Sequence, residues 1–175
     1  MSFKHTATLA LFVFGSVSCM SAQEAPAAPQ ITMGNGTLNM IETSGMTRVE
    51  DVSVFSEVRV DEAALSTFRA NSTAITFPEV TVAQNSWLVL HPVIDGRPDG
   101  DMVSGYTYLG EGTTEGATIQ IDHPADAGDQ FLVMLHKDVD EDRVFDFVFV
   151  EDGINVEDTA VFEGNRMVSH VISVP

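Results

Sequence analysis

The sequence predicts an all-β fold class, an immunoglobulin-like antiparallel β-sandwich preceded by a signal peptide and a short linker. Short runs rich in Val, Ile, Phe and Thr recur along the chain, and clusters of Gly, Asn, Asp and Pro separate them. Strands of this length at near-regular spacing, with turn residues between them, are typical of sandwiches and barrels. A helical pattern is confined to residues 61–68, so helices contribute little to the expected fold.

The predicted strands follow one another from residue 37 to the C-terminus. They are residues 37–41, 52–60, 74–77, 80–83, 87–93, 103–109, 117–121, 131–136, 144–150, 159–162 and 167–174. The helical prediction, DEAALSTF, amounts to two turns capped by Asp61. Trp87, the single tryptophan, is expected to anchor the core of its strand because a large aromatic side chain buries much apolar surface.

Three segments divide the chain. Residues 1–22 are predicted to form a signal peptide, and residues 23–36 to form a linker that begins with the proline- and alanine-rich stretch EAPAAPQ. Residues 37–175 are predicted to form the β-sandwich domain, which is long enough for one hydrophobic core.

The leader is of the export type, and its end has two interpretations. Lys4 provides a basic start, and the apolar stretch 7–17 is too short to span a bilayer. Cleavage after Ala22 would be of the ordinary type. Cys19, the single cysteine, stands instead where a lipoprotein leader carries its lipid-bearing residue. The sequence leaves both open, and it excludes a disulfide within the chain.

Charge restricts the possible partners. The chain carries a formal net charge of −18 at pH 7. This charge argues against nucleic acid and against adsorption to anionic lipid, because both present negative charges that repel it. Contact with a membrane is therefore expected only through a lipid on Cys19. Together with the leader, these features predict a secreted, periplasmic or cell-surface location.

The most informative stretch is residues 131–150, FLVMLHKDVDEDRVFDFVFV, in which a group of acids joins two apolar runs. In the second run phenylalanines alternate with other residues, so one face of a strand would carry them all. The stretch therefore predicts a β-hairpin with residues 131–136 and 144–150 as its strands and an acidic tip between them.

The acids of this hairpin have the spacing of calcium ligands. Asp138, Asp140, Asp142 and Asp146 stand at positions 1, 3, 5 and 9 of a calcium-type loop. Arg143 occupies position 6, where glycine permits the sharp turn, and position 12 holds phenylalanine in place of glutamate. Two interpretations remain: a weak, non-helical Ca²⁺ site formed by these four aspartates, or a solvated acidic tip.

The other acids and the histidines are predicted to form no site. The turn DGRPDGD at residues 95–101 and the pair Glu157–Asp158 are expected to be solvated. No two histidines have the i, i+2 or i, i+4 spacing of a ready chelate, and no cysteine follows residue 19 to serve a blue-copper centre. Structural or surface roles are therefore expected for His91, His123, His136 and His170.

Short motifs lie in a characteristic order along residues 52–174. They are WLVLH at 87–91, YLGEG at 108–112, ATIQI at 117–121, LHKDVDED at 135–142 and FDF at 145–147. In this order they resemble an uncharacterised family of extracellular β-sandwich domains found in exported and surface proteins, chiefly of halophilic archaea. Arg143 departs from the glycine that members tend to carry in the loop. The resemblance implies location and fold, and fold alone does not set function.

Two functional hypotheses follow. The sequence contains no G-x-S-x-G elbow, P-loop, H-E-x-x-H or dinucleotide motif. The first hypothesis is therefore an exported, non-enzymatic adhesion or interaction module of the cell envelope, with a protein or glycan partner and a weak Ca²⁺ site in its acidic hairpin. The alternative is a secreted, glycosidase-like hydrolase that uses loop carboxylates such as Asp138, Asp142 and Asp146.

Overall fold

A computed structural model describes residues 30–59, 65–146 and 157–175, without the side chains of residues 50–59 and 65–71. All regular secondary structure in these ranges is β, so the predicted all-β class is confirmed, and no helix there is long and apolar enough to cross a membrane. The strands are β1 (Thr32–Met33), β2 (Met40–Ile41), β3 (Thr47–Arg59), β4 (Leu65–Val82), β5 (Ser86–Ile94), β6 (Arg97–Pro98), β7 (Gly105–Leu109), β8 (Gly112–Gln120), β9 (Gln130–Lys137), β10 (Phe162–Glu163), β11 (Arg166–Met167) and β12 (Ser169–Ser173).

The first main sheet is antiparallel and has β5 and β9 at its centre. β7 pairs with the other edge of β5, β12 pairs with β9, and β6 continues the pairing at the end of β5. The β5–β9 register sets Trp87 opposite His136 and Leu88 opposite Leu135. Their sequences, SWLVLHPVI and QFLVMLHK, are the continuous apolar runs expected of strands that are buried on both faces.

The second main sheet is built on β4, an 18-residue strand that pairs with β3, β2 and β8. The sequence predicts two strands here, at 74–77 and 80–83, and Pro78 lies between them. The structure has one strand, since Phe77 and Glu79 on either side of the proline both pair with β8. Pro78 has no backbone N–H to donate, so one hydrogen bond of the sheet is missing there. The pairing of Phe77 and Glu79 with β8 continues the strand past the proline.

Two predicted elements do not form as expected. Residues 65–68 of the predicted helix lie in β4, with Leu65 opposite Arg59, and residues 61–64 lie outside the described ranges. A two-turn helix is marginal by itself, so pairing along β3 prevails. Residues 144–146 of the predicted strand 144–150 are not in a strand, and the remainder lies outside the described ranges. The predicted hairpin would pair this strand with β9. In the structure β9 pairs with β5 on one edge and with β12 on the other, so neither edge is open to residues 144–146.

The core lies between the two main sheets. It is a single cluster of buried apolar side chains, with Leu88, Leu90, Val133 and Leu135 from the first sheet and Ile75, Phe77 and Ile119 from the second, all of them 0% exposed. This arrangement is the antiparallel β-sandwich predicted from the sequence. The opposite face of the first sheet is buried as well. Alternation places Trp87, Val89, His91, Met134 and His136 there.

The two main sheets approach each other closely at Gly105, the first residue of β7. Ser104 donates to the carbonyl of Leu90 in the first sheet and accepts from the backbone N–H of Asp122, just beyond β8. A Cβ on Gly105 would lie 2.4 Å from the carbonyl oxygen of Gln120 at the end of β8. This close approach of two backbones requires glycine.

A third, small sheet joins the beginning of the described chain to its end. β1 pairs with β11 in parallel, and β11 pairs with β10. β1 therefore lies inside the segment predicted to be linker, residues 23–36, so pairing begins earlier than the sequence predicts. The loop after β1 encloses the Glu163 carboxylate, which accepts hydrogen bonds from the backbone N–H groups of Thr37, Leu38 and Asn39 at 2.7, 3.0 and 2.9 Å.

Gly105→Ala is expected to destabilise the protein by about 2 kcal/mol, because backbone rather than a flexible side chain must move to admit the Cβ. Chemical denaturation of the purified chain measures this loss. Gly110→Ala is the matched control, since a Cβ there meets no atom within 4 Å, and its effect should stay within about 0.5 kcal/mol. Equal stability of the two variants would contradict the close approach of the two backbones at Gly105.

Glu163→Gln is expected to lower the melting temperature at neutral pH and to reduce acid sensitivity. The N–H of Thr37, followed by the other donors, lowers the pKa of Glu163 from 4.5 to about 2. The carboxylate therefore stabilises the fold fully above pH 4.5, and this contribution is lost as pH falls through about 2. Melting curves are to be measured from pH 7 to pH 2. The difference in melting temperature between wild type and variant should shrink as the pH falls from 4.5 to about 2.

Glu115→Gln is the control for this comparison, because Glu115 is an exposed glutamate of β8. Its melting temperature should follow that of the wild type at every pH. A gap between wild type and Glu163→Gln that stays constant down to pH 2 would contradict the stabilising role of the ionised carboxylate.

Candidate metal centre

Three of the four predicted metal ligands come together in the loop after β9. Asp138, Asp140 and Asp142 each contribute one carboxylate oxygen to a group whose atoms all lie within 4.8 Å of one another. Asp140 and Asp142 are exposed, as a solvated tip requires, whereas Asp138 is only 2% exposed. The tip is therefore solvated on one side and buried on the other. The carboxylates of Asp138 and Asp142 suggested for a hydrolase belong to this same group.

The loop is curled by its own side chains and by two left-handed residues. Asp140 Oδ1 accepts from the backbone N–H of Asp142 at 3.3 Å, and Asp142 Oδ1 accepts from that of Val144 at 2.6 Å. Glu141 and Arg143 have φ values of 62° and 64°. Arg143 thus adopts the left-handed conformation that glycine provides at position 6 of a calcium loop.

Arg143 holds this conformation with its side chain against an aromatic ring. Its guanidinium carbon lies 5.2 Å from the centroid of the Tyr108 ring, a cation–π distance. A non-glycine residue in the left-handed region costs roughly 1–2 kcal/mol. The contact with Tyr108 offsets part of that cost.

The Asp138 carboxylate is buried without normal hydrogen-bond partners among the described residues, at either oxygen. Burial raises its pKa, and the charges of Asp140 and Asp142 raise it further. The backbone N–H groups of Arg143 and Glu141 lower the pKa in part, although neither reaches normal hydrogen-bond geometry. A buried carboxylate in this situation requires a proton or a cation to be stable.

Asp146, the fourth predicted ligand, is not in the group of three. Its backbone N–H donates to Asp158 Oδ2 at 3.1 Å, and its carbonyl accepts from the N–H of Asp158 at 2.9 Å. Asp158 Oδ1 also accepts from the N–H of Val139 at 2.9 Å. One aspartate side chain therefore ties together the two ends of the acidic loop.

The prediction that Asp158 is solvated is wrong, because the residue is only 1% exposed. Burial raises its pKa, while the N–H groups of Val139 and Asp146 lower it in part. An acid next to another acid, Glu157, looks in the sequence like any solvated turn. The acids of the 95–101 turn lie at the surface as predicted, with Asp95 and Asp101 exposed.

The structure also brings two histidines together. Nε2 of His91 on β5 lies 3.3 Å from Nε2 of His136 on β9. Both are buried, at 0% and 6% exposure, and burial lowers the pKa of each, to about 4 for His136. The prediction considered only spacing along the chain. The proximity of the two histidines follows from the β5–β9 register, which places Trp87, His91 and His136 on the same face of the sheet.

The remaining histidines lie elsewhere. His123 is exposed beside Asp122, and Nε2 of His170 lies 2.8 Å from Asn35 Oδ1. The hydrogen bonds described for His123 and His170 do not involve His91 or His136. These two residues have the surface and structural roles that the sequence predicts for them.

An aromatic cluster lies between the histidine pair and the acidic loop. Phe145, at the end of the loop, packs against Tyr106, Trp87 and His136 with centroid distances of 4.8, 5.6 and 5.6 Å. Trp87 is buried as expected, on the face of the sheet away from the main core. Loop conformation and the packing over His136 are therefore connected through one phenylalanine.

Comparison with known proteins finds a family model and a curated relative that match this chain. The relative is "Cell surface glycoprotein 1" of Haloarcula hispanica, which is 24% identical over 133 residues, covering 72% of this chain and 14% of that protein. The matched stretch thus spans about one seventh of the relative's length. No solved structure is significantly similar to the chain. The family model, described as a domain of unknown function, matches residues 61–174. The predicted membership of an uncharacterised surface-protein family is confirmed, and the chain belongs to the DUF7282 family.

Proposed function

We propose that the protein is a non-enzymatic module of the cell surface whose acidic loop, residues 138–146, binds Ca²⁺. Its similarity to part of a cell-surface glycoprotein supports the location. The observation that carries the ion site is the Asp138 carboxylate, buried without normal partners beside two further carboxylates. Acidic clusters alone are common on surfaces, and the buried member distinguishes this one.

Distances and chemistry favour calcium. Ca²⁺ takes oxygen ligands at about 2.3–2.6 Å, so two oxygens on opposite sides of the ion are about 4.6–5.2 Å apart. The three carboxylate oxygens lie within 4.8 Å of one another and fit inside that limit. Carbonyl groups and water complete a flexible shell of six to eight oxygens, whereas Mg²⁺ demands a stricter octahedron.

The ion would have a mechanical role at the surface. Its charge offsets the repulsion among Asp138, Asp140 and Asp142, and so it holds the loop that carries Phe145 onto Trp87. A stiffened loop presents one fixed surface to a protein or glycan partner at a lower entropic cost. With a glutamate missing at position 12, the affinity belongs to the millimolar range of extracellular modules.

Asp138→Asn is expected to change stability in opposite directions with and without calcium. In EDTA the variant should melt at a higher temperature than the wild type, because it no longer buries an unpartnered charge. In about 10 mM CaCl₂ the wild type should gain about 1.4 kcal/mol for a dissociation constant of about 1 mM, which is a few degrees, and the variant should gain nothing. Calorimetry of the full chain measures both changes.

Asp101→Asn is the matched control, since Asp101 is an exposed aspartate of the other acidic turn. It should keep the wild-type response to calcium. A wild-type melting temperature that is the same in EDTA and in calcium would overturn the ion site, and an equal loss of response in Asp101→Asn would reduce it to general charge screening.

A surface location is tested by adding protease to intact cells of the source organism. The protein should be degraded before lysis, because a surface module is accessible from outside, while an abundant cytoplasmic enzyme in the same sample survives. Quantitative blotting of the full chain against time measures this. Protection of the protein until the cells are lysed would contradict the proposed location.

A further inference from the structure

A cleft lies where β7 begins beside the end of β8, at the close approach of the two main sheets. Its volume is about 450 Å³, which falls in the range of about 300–1,000 Å³ that small-molecule sites occupy. The lining residues on the β7 side include Val103, Ser104 and Tyr106, and those on the β8 side are Gln120, Ile121 and Asp122. The lining residues do not belong to the acidic loop, so the cleft is distinct from the proposed calcium site.

Backbone contacts between its two sides close the floor of this cleft. The carbonyl of Ser104 accepts from the N–H of Asp122 at 2.8 Å, and the N–H of Ser104 donates to the carbonyl of Leu90 at 2.8 Å. A Cβ at Gly105 would clash with the carbonyl of Gln120, so the two backbones meet there. An extended peptide adds to a sheet by pairing with an open edge. The cleft therefore suits a small ligand and not an inserted strand.

The β8 side of the cleft is held in place by buried hydrogen bonds. The N–H of Ile121 donates to the carbonyl of Thr73 at 2.8 Å, and the carbonyl of Ile121 accepts from the hydroxyl of Ser72. Oγ1 of Thr73 accepts from the N–H of Ala125 at 2.9 Å. All four residues are buried. A wall fixed in this way does not have to be ordered when a ligand binds, and this lowers the entropic cost of binding.

The exposed side chains of the cleft offer hydrogen-bonding groups of both kinds. The amide of Gln120 and the phenol of Tyr106 can each donate and accept, whereas the carboxylate of Asp122 only accepts. The side chain of Asp122 is 65% exposed, and Nδ1 of His123 lies beside one of its oxygens. Water and His123 therefore stabilise this carboxylate, and its charge does not require a cationic ligand.

Tyr106 adds an aromatic ring to these polar groups. Its ring packs against those of Phe145 and Trp87, with centroid distances of 4.8 and 5.7 Å, and these contacts hold its orientation. Tyr106 is nevertheless 51% exposed, so part of its aromatic surface is open to a ligand. An open aromatic surface beside an amide and a carboxylate suits a molecule that has both an apolar face and hydroxyl groups.

We propose that the cleft binds a neutral sugar, a pyranose unit of a surface glycan. Its hydroxyls donate to the carboxylate of Asp122 and exchange hydrogen bonds with the amide of Gln120, while its C–H face packs on the ring of Tyr106. The net charge of −18 disfavours sulfated and uronic sugars, because like charges repel. This proposal rests on the surface location proposed above and selects a glycan as the partner, but it does not require the calcium site.

The test is an NMR titration of the purified, nitrogen-labelled full chain with the methyl glycosides of glucose, galactose, mannose and N-acetylglucosamine. At least one of these neutral sugars should shift the side-chain amide resonances of Gln120 and the backbone amide resonances of Tyr106 and Asp122. The methyl glycoside of glucuronic acid carries a carboxylate, and it should bind at least about tenfold more weakly than the corresponding glucoside because it meets the charge of Asp122.

Substitutions in the cleft should weaken binding of the sugar that shifts these resonances. Asp122→Ala and Gln120→Ala each remove a hydrogen-bond partner of the ligand, and each should weaken binding about tenfold, which corresponds to about 1.4 kcal/mol. Tyr106→Ala should weaken binding by about the same factor. Tyr106→Phe keeps the ring, and it should weaken binding less than Tyr106→Ala does.

Asp101→Ala and Gln84→Ala are the matched controls, since they change an exposed aspartate and an exposed glutamine outside the cleft. Both should keep the wild-type affinity. Should Tyr106→Ala fail to fold, the two substitutions at exposed positions, Asp122→Ala and Gln120→Ala, decide. The absence of any shift with the neutral glycosides, or wild-type affinity in both of these variants, would overturn the sugar site. Sugar binding by a protein that is protected from protease in intact cells would support the cleft and contradict only the surface location.

Discussion

The antiparallel ladder between β5 and β9 is the constraint on which the rest of the molecule depends. It runs from the pair Ser86 and Lys137 to the pair Pro92 and Phe131, and both of its faces are buried. One face supplies leucines to the core between the sheets, and the other supplies Trp87 and both histidines. Because side chains alternate strictly, a slip of one residue would exchange the faces and remove the core and the imidazole contact together.

Much of this framework was predictable from sequence, because continuous apolar runs such as WLVLH specify a strand whatever lies around them. The secondary structure of two segments was not predictable, because it depends on contacts with residues that are distant in the sequence. The helical pattern at 61–68 contains Leu65, whose backbone pairs with β3 instead. The apolar alternation around Phe145 predicted a strand over residues 144–150, and the structure has no strand at residues 144–146. It could not show that Asp158 holds the adjacent backbone in a loop in place of a strand.

The candidate site was predictable in part for a similar reason. Spacing along a chain shows which acids converge when a loop curls, so Asp138, Asp140 and Asp142 were found. Burial is a property of the whole fold, so the difference between Asp138 and its exposed neighbours was not visible, and neither was the capping role of Asp158. The meeting of His91 and His136 depends on strand register, and 45 residues separate them in the chain.

Asp158 contacts both the acidic loop and the buried imidazole of His136. Its carboxylate accepts from the backbone at the two ends of the acidic loop, and its carbonyl accepts from Nδ1 of His136. A shift of this one buried residue would therefore change the loop and the imidazole at once. One residue therefore fixes the conformation of the acidic loop through its side chain and the tautomer of the His136 imidazole through its own peptide group.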